Sequence, residues 1–367
     1  MPKKNDIFID LEREMKSENV PGMGVAVFSH GQIIWQKGFG VLEKGKARPV
    51  KVNTVFHACS ISKMFTAAGA LRLVQEGRLG LEDDVNGYMR SWKLQDNEYT
   101  ADTKVTLLHL LSHQAGFIDP EGSFDVLSKL EQPPAMNDIL SGQTRFLQEP
   151  LQSSCTPGSR FSYSDAGYCL VGQLIEEVTG MPFSTAMNRL VLQPLGLQRS
   201  LFWNIYKVKK PRGTSAGHDP HGTTVKGKYP FYPYPAAAGL WSTPGELAEF
   251  VVRLLAAGAG GRDFILNPEF ARLMLSAHGC SEEAGLGVFV PRDAKGQVYL
   301  VSQGWGIGFQ CKVYAFPAEG SGVVVMMNCD PGKPQNESLV GKIINKIGAG
   351  RAGLVVNRCK VIEYSIV

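Results

Sequence analysis

Residues that favour strands sit at the two ends of this chain, and the stretch between them reads as helices and loops. Near the N-terminus, residues 23–29 and 32–37 are strand-like runs joined by the turn residues His30-Gly31, which predicts a hairpin. Toward the C-terminus, residues 285–290, 298–302, 309–316 and 322–328 are further β-rich runs separated by Gly, Pro and charge. Helical patterns mark residues 6–18 before the first strands and 337–347 after the last. Strands need a common sheet to bury a face, and these can share one only if the chain ends meet. The expected class is therefore α+β: an antiparallel β-sheet built from both chain ends, flanked by helices, with an inserted, mostly helical region. The boundaries expected are a sheet domain from residues 1–78 and 236–350, a helical, loop-rich domain over 79–235, and a C-terminal tail over 351–367.

Between the ends, a helix is expected from about residue 60 to 75, stopping at Gly77. Others are expected over 106–112 and over 168–179, the second closed by Gly180. Thr243-Pro244-Gly245-Glu246 has the form of a capping box with proline in the first turn, so a helix should run from there to about Ala256.

The partners are bounded by charge and composition. A net charge of +4 on 367 residues is small, and no basic cluster is interleaved with aromatics, so nucleic acid is not an expected partner. The densest basic run, residues 207–212, reads as a solvated loop. No window is long and apolar enough to span a bilayer. The first residues lack the apolar core and cleavage pattern of a leader, and seven cysteines without regular spacing fit reduced thiols. The expectation is a cytoplasmic protein.

Chemistry concentrates at Ser60 and Lys63. On a helix, residues three apart share a face, so the amine can reach the hydroxyl. A serine needs such a base to become a nucleophile, and a lysine can serve only if burial or nearby positive potential lowers its pKa. A helix N-terminus supplies that potential and favours an oxyanion. About one match to this spacing is expected by chance in a chain this long, so its position at the start of an apolar helix matters more than the spacing. Adjacent Cys59 reads as a small buried residue rather than a nucleophile.

Two more segments carry candidate groups. Tyr163 lies in a tight polar stretch, Ser159 to Asp165, that leads into a helix. It reads either as a core phenol or as a proton shuttle beside Lys63. Ser302-Gln303-Gly304-Trp305-Gly306-Ile307-Gly308 joins two predicted strands. Its glycines permit close approach of a ligand, and a strand-edge N–H there could be an oxyanion donor beside the Ser60 N–H; a plain glycine-rich hairpin is the alternative.

The order Ser-x-x-Lys, Tyr-x-Asp, then a Gly-containing strand resembles class C β-lactamases, D-alanyl-D-alanine carboxypeptidases and family VIII esterases. Further likeness lies in Thr106 to Gly116, Pro157 to Gly180, Ala236 to Pro244 and Gly285-Leu286-Gly287, so the resemblance spans about residues 8–348. It implies a β-lactamase/transpeptidase-like fold. It also implies Ser60 as acylated nucleophile, Lys63 as its base, Tyr163 as proton relay, and the N–H groups of Ser60 and Trp305 as oxyanion donors. Ser302-Gln303-Gly304 takes the place of the family's Lys-Thr-Gly, with Trp305 following. Two positions depart from the pattern. Asp165 replaces an Asn, and near Lys63 it would favour the ammonium. Ser302 replaces a cation that helps bind substrate carboxylates, which implies poor recognition of β-lactams and D-Ala-D-Ala termini and a bias to uncharged acyl donors.

Other motifs lack their required context. Gly213-Thr214-Ser215-Ala216-Gly217 fits a nucleophile elbow, without the strand before or the helix after. His218 and His221 read as exposed loop residues rather than metal ligands. Gly348 to Gly353 fits G-x-G-x-x-G but follows a helix. His57 and His113 read as structural. The loop Tyr229 to Pro235, with Tyr232 and Tyr234, reads as the wall of an acyl pocket.

The resulting expectation is a serine hydrolase acting on carboxylic esters through a Ser60 acyl-enzyme, with substrate contacts from Asp165, Ser302, Gln303, Gly304, Trp305, Tyr232 and Tyr234. Its partners would be a small-molecule acyl donor and water or another acyl acceptor; no cofactor or metal is implied. An acyltransferase with the same residues is the alternative. A β-lactamase or peptidase is disfavoured by Ser302, and a silent binding relative would owe its silence to Asp165 and Ser302.

Overall fold

The computed structural model describes residues 4–127 and 131–349. Its strands, in chain order, are β1 (Gly22–Ser29), β2 (Gln32–Gly40), β3 (Phe56–His57), β4 (Leu201–Phe202), β5 (Leu240–Ser242), β6 (Leu300–Gly306), β7 (Phe309–Phe316) and β8 (Ser321–Met327). The main sheet has the order β2-β1-β8-β7-β6 and is antiparallel throughout, so β1 from one chain end pairs with β8 from the other, Val25 opposite Val325. This is the α+β sheet expected from the sequence.

Alternation along β1 and β8 divides two cores. Met23, Val25, Val27, Val323, Val325 and Met327 pack with Leu11 and Met15 of the helix Lys4–Ser17 and with Leu339, Val340 and Ile343 of the helix Leu339–Ala349. The opposite face, with Ala26, Phe28, Val324 and Met326, joins the larger core that contains Leu247, Phe250 and Val251 of the helix Pro244–Gly258. A strand that is apolar on both faces must be covered on both sides. That is why the terminal helices close over the sheet.

Residues 285–290 do not form the expected strand. Gly287 turns the chain at φ +75°, and Gly285 N–H donates to Val288 O at 3.0 Å. Only a single bridge, Phe289 to Val301, joins this segment to the edge strand β6. Thr243 caps its helix by accepting from Glu246 N–H at 3.1 Å, but the Glu246 carboxylate bonds Arg199 N–H and Ser200 Oγ instead of completing the box. Between the ends, the elements are mostly short, such as Leu107–Leu111, apart from the helix Asp165–Thr179. The tail over 351–367 lies outside the described residues, as does most of the run Gly348 to Gly353. Among the described residues no helix is long and apolar enough to cross a membrane.

Candidate active site

The two-residue β3 ends at His57 and leads into a 3₁₀ turn, Cys59–Ile61, that runs directly into the helix Ser62–Gln75. Cys59 sits in the left-handed region at φ 48°, a conformation unusual outside glycine, and this sets Ser60 at a sharp corner. Ser62 Oγ donates to the Cys59 carbonyl at 2.6 Å and fixes the corner. Three successive carbonyls of one short helix, Pro235–Ala238, then hold the segment: Ala236 accepts from Thr66 Oγ1 at 2.7 Å, Ala237 from Lys63 Nζ at 3.2 Å, and Ala238 from His57 Nε2 at 2.7 Å. His57 is therefore structural, and Cys59 is buried with its thiol pKa pushed well up by that burial.

Lys63 is buried, and its Nζ lies 3.3 Å from Ser60 Oγ. Asp165, the first residue of the helix Asp165–Thr179, brings its Oδ1 to 2.5 Å from the same nitrogen. Burial lowers the lysine pKa, but the charge of Asp165 and the polarity of Tyr163 outweigh it and hold the ammonium above its ordinary value. The Tyr163 ring lies 4.9 Å from Lys63 Nζ, centroid to nitrogen, and lines the same narrow cavity as Lys63 and Ser60. The phenol pKa is raised by burial, with Lys63 opposing. The Tyr163 ring stacks on His113, centroids 4.3 Å apart, and His113 Nδ1 accepts from Ser164 N–H at 3.1 Å. His113 is held neutral by burial and by Lys63. An alcohol, an ammonium and a phenol thus meet in one cluster.

The glycine-rich strand reaches this cluster through its edge. Val301 N–H and C=O both pair outward with Phe289, at 2.8 and 2.9 Å. Antiparallel alternation then turns the N–H groups of Gln303 and Trp305 outward as well, away from β7. Gly304 is the closest approach: a Cβ there would lie 2.3 Å from the Ala58 carbonyl oxygen and 2.9 Å from Cys59 Cβ. Gly304 therefore seats β6 against the nucleophile corner. The Trp305 indole donates to Asp330 Oδ1 at 2.6 Å.

Two cavities meet at Ser60. A narrow one is lined by Ser60, Lys63, His113, Tyr163, Ser302 and Gln303 among others. The other is an open groove of about 590 Å³ that takes in Ser60, Tyr163, Asp165, Tyr232, Tyr234 and Trp305. The tyrosine loop walls it: Tyr232 Oη accepts from Ile307 N–H at 2.9 Å, and Tyr234 Oη bonds the Phe124 and Asp125 carbonyls.

A family model described as Beta-lactamase matches residues 9–343. The chain belongs to the β-lactamase family. Protein flp of Staphylococcus aureus (strain N315) is 26% identical over 234 residues, which is 64% of this chain and 44% of that protein. The match thus spans less than half the length of that curated relative. The octameric penicillin-binding protein homologue from Pyrococcus abyssi superposes with TM-score 0.76 at 25% identity, covering 95% of this chain and 77% of the other. EstCE1, a hydrolase with promiscuous acyltransferase activity, superposes with TM-score 0.72 at 20% identity, covering 93% and 98%, which shows a shared fold.

Against the expectations from the sequence, the reading of His218 changes, that of Ser215 as no nucleophile stands, and one residue is added. His218 is buried, not exposed: its Nδ1 donates to Asn328 O at 2.7 Å and its Nε2 accepts from Lys44 N–H at 3.1 Å. The buried Ser215 accepts from Asn328 Nδ2 at 2.7 Å, a structural contact far from any elbow. Sequence reasoning missed Asp119, which accepts from Asp165 N–H at 2.5 Å and Ser164 Oγ at 2.7 Å and so caps the helix that carries Asp165. Burial, with Asp165 adding, pushes the Asp119 pKa up to about 6. The signal was present in Asp119, Glu121 and Asp125, three acids in seven residues directly after the Thr106 to Gly116 segment. Among the described residues no cluster of metal-ligating side chains occurs.

Proposed function

We propose that this β-lactamase-family chain is a serine hydrolase that cleaves carboxylic esters through an acyl-enzyme on Ser60. The observation that carries the reading is Ser60 Oγ at 3.3 Å from Lys63 Nζ, with the Tyr163 ring 4.9 Å from the same nitrogen and in the same cavity. Once Lys63 has lost a proton, it accepts the Ser60 proton as Oγ bonds the ester carbonyl carbon. The Ser60 and Trp305 N–H groups receive the oxyanion. As the intermediate collapses, the C–O bond to the alcohol breaks and Tyr163 protonates the leaving oxygen. Lys63 returns a proton to Tyr163, so the serine proton has been moved to the alcohol and charge balances. Water then releases the acid by the reverse path.

Ser302 is buried beside Ser60 and Lys63 in the narrow cavity, and it brings no positive charge to bind a substrate carboxylate. That supports esters without a carboxylate over β-lactams. Transfer of the acyl group to another alcohol or amine would use the same residues, and the likeness to EstCE1 supports it as a second outcome.

Intact-mass spectrometry after incubation with p-nitrophenyl butyrate tests the reading. A butyryl adduct on the native chain, absent from Ser60→Ala, is the expected result. No adduct and no turnover would make the chain a silent binder. Transfer of the adduct to added alcohols faster than to water would make it an acyltransferase. Efficient nitrocefin hydrolysis that Ser60→Ala abolishes would refute the exclusion of β-lactams.

A further inference from the structure

The groove into which Ser60 opens is negative. Beyond Asp119 and Asp165, it is lined by Glu121, Asp125 and Asp330, and among the described residues no lysine, arginine or histidine lines it. Lys63, beside Ser60, is already paired with Asp165. Asp330 takes only neutral donors, the Trp305 indole at 2.6 Å and Gly332 N–H at 3.0 Å. Asp125 Oδ1 accepts its neighbour's N–H, from Val126 at 2.6 Å. Neither Glu121, Asp125 nor Asp330 has an ion-pair partner among the described residues. A cleft lined by one sign of charge, with apolar walls, focuses its potential and concentrates ligands of the opposite sign. Its wall carries the partly exposed Trp305 beside the buried Phe124, Tyr232 and Tyr234, and an aromatic face attracts cations in its own right.

We infer that the groove selects an organic cation, so that the preferred substrate of Ser60 is an ester or amide whose arm in this groove carries an ammonium group. The inference rests on the reading of Ser60 as nucleophile. Two independent features carry it: carboxylates without an ion-pair partner among the described residues and the partly exposed Trp305 ring, both in the cavity into which Ser60 opens. Ser302 agrees with them, since it offers no cation that would draw a substrate carboxylate instead.

Two ester pairs that differ only in charge test it. Butyrylcholine is compared with 3,3-dimethylbutyl butyrate, which places the charge in the leaving group. The p-nitrophenyl esters of 4-(trimethylammonio)butanoate and 5,5-dimethylhexanoate place it in the acyl group. At low salt, kcat/KM should favour the cation in at least one pair by about tenfold, the effect of a few unit charges several ångströms away in water. That ratio should fall severalfold in 0.5 M NaCl, and severalfold in Asp330→Asn or in the double variant Glu121→Gln/Asp125→Asn. A ratio of one or less in both pairs overturns the inference, and so does a cation preference that none of these variants changes. If no ester is turned over, the hydrolase reading fails on its own. Calorimetry on Ser60→Ala then decides the groove: choline binding about tenfold tighter than 3,3-dimethylbutanol upholds it, and equal binding overturns it.

Discussion

Asp165 Oδ1 stands 2.5 Å from Lys63 Nζ, closer to the ammonium than Ser60 Oγ at 3.3 Å. The lysine therefore rests charged, and an enzyme that uses it as a base must first remove its proton. The pH profile of activity should follow this one contact.

Asp165→Asn removes the charge that opposes the lowering effect of burial on Lys63. The acidic limb of the kcat/KM profile for p-nitrophenyl butyrate should move to lower pH by a unit or more, raising activity at pH 7. Stability should fall by about 3 kcal/mol at pH 7, because a buried charge loses its partner. The folded pKa of Lys63 is raised, so this stabilisation is full below the ordinary lysine value and is lost as pH rises through the folded value. The difference in melting temperature between the two proteins should therefore stay constant from pH 7 to pH 10. An unmoved pH limb would remove Lys63 from the role of base.

Tyr163→Phe deletes the phenol and keeps the ring stacked on His113. Loss of a positioned proton carrier should cost about 10² to 10⁴ in kcat. The melting temperature should change by no more than about 2 °C, because the packed surface is retained. A kcat within threefold of the native protein would return Tyr163 to the core-phenol reading.

Gly304→Ala puts a Cβ 2.3 Å from the Ala58 carbonyl oxygen. The edge of β6 must retreat from the nucleophile corner, at a cost of about 1–3 kcal/mol for overpacking. Because Trp305 N–H would retreat with it, kcat should fall beyond what lost stability explains. Gly87→Ala, where a Cβ meets nothing within 4 Å, is the control and should leave both quantities close to native.

Asp119 has a pKa raised to about 6 by burial and by Asp165. Its contribution to stability is full below the ordinary carboxylate range and is lost as pH rises through 6. The stability of Asp119→Asn relative to the native chain should therefore improve by about 2 kcal/mol between pH 4 and pH 7. Urea denaturation at the two pH values measures it, and a difference that shrinks with rising pH would contradict the assignment.

The motifs at Ser60, Tyr163 and Trp305 were legible because each is written in a few contiguous residues with its own local pattern. So was the sheet, since the short, continuous β-rich runs at 23–29 and 322–328 mark strands wherever they pair. The strand expected at 285–290 was not, because one left-handed glycine at 287 outweighs β propensity around it. Nor were the hidden position of His218 and the capping by Asp119, which depend on partners over a hundred and about forty-five residues away.

By itself the sequence determined the elements, the α+β class and which alcohol, amine and phenol could take part. Whether Asp165 would face Lys63 or turn away, and whether scattered acids would share one groove, was decided only by the tertiary structure. Charge interactions depend on distance and burial, and neither is set until the chain has folded.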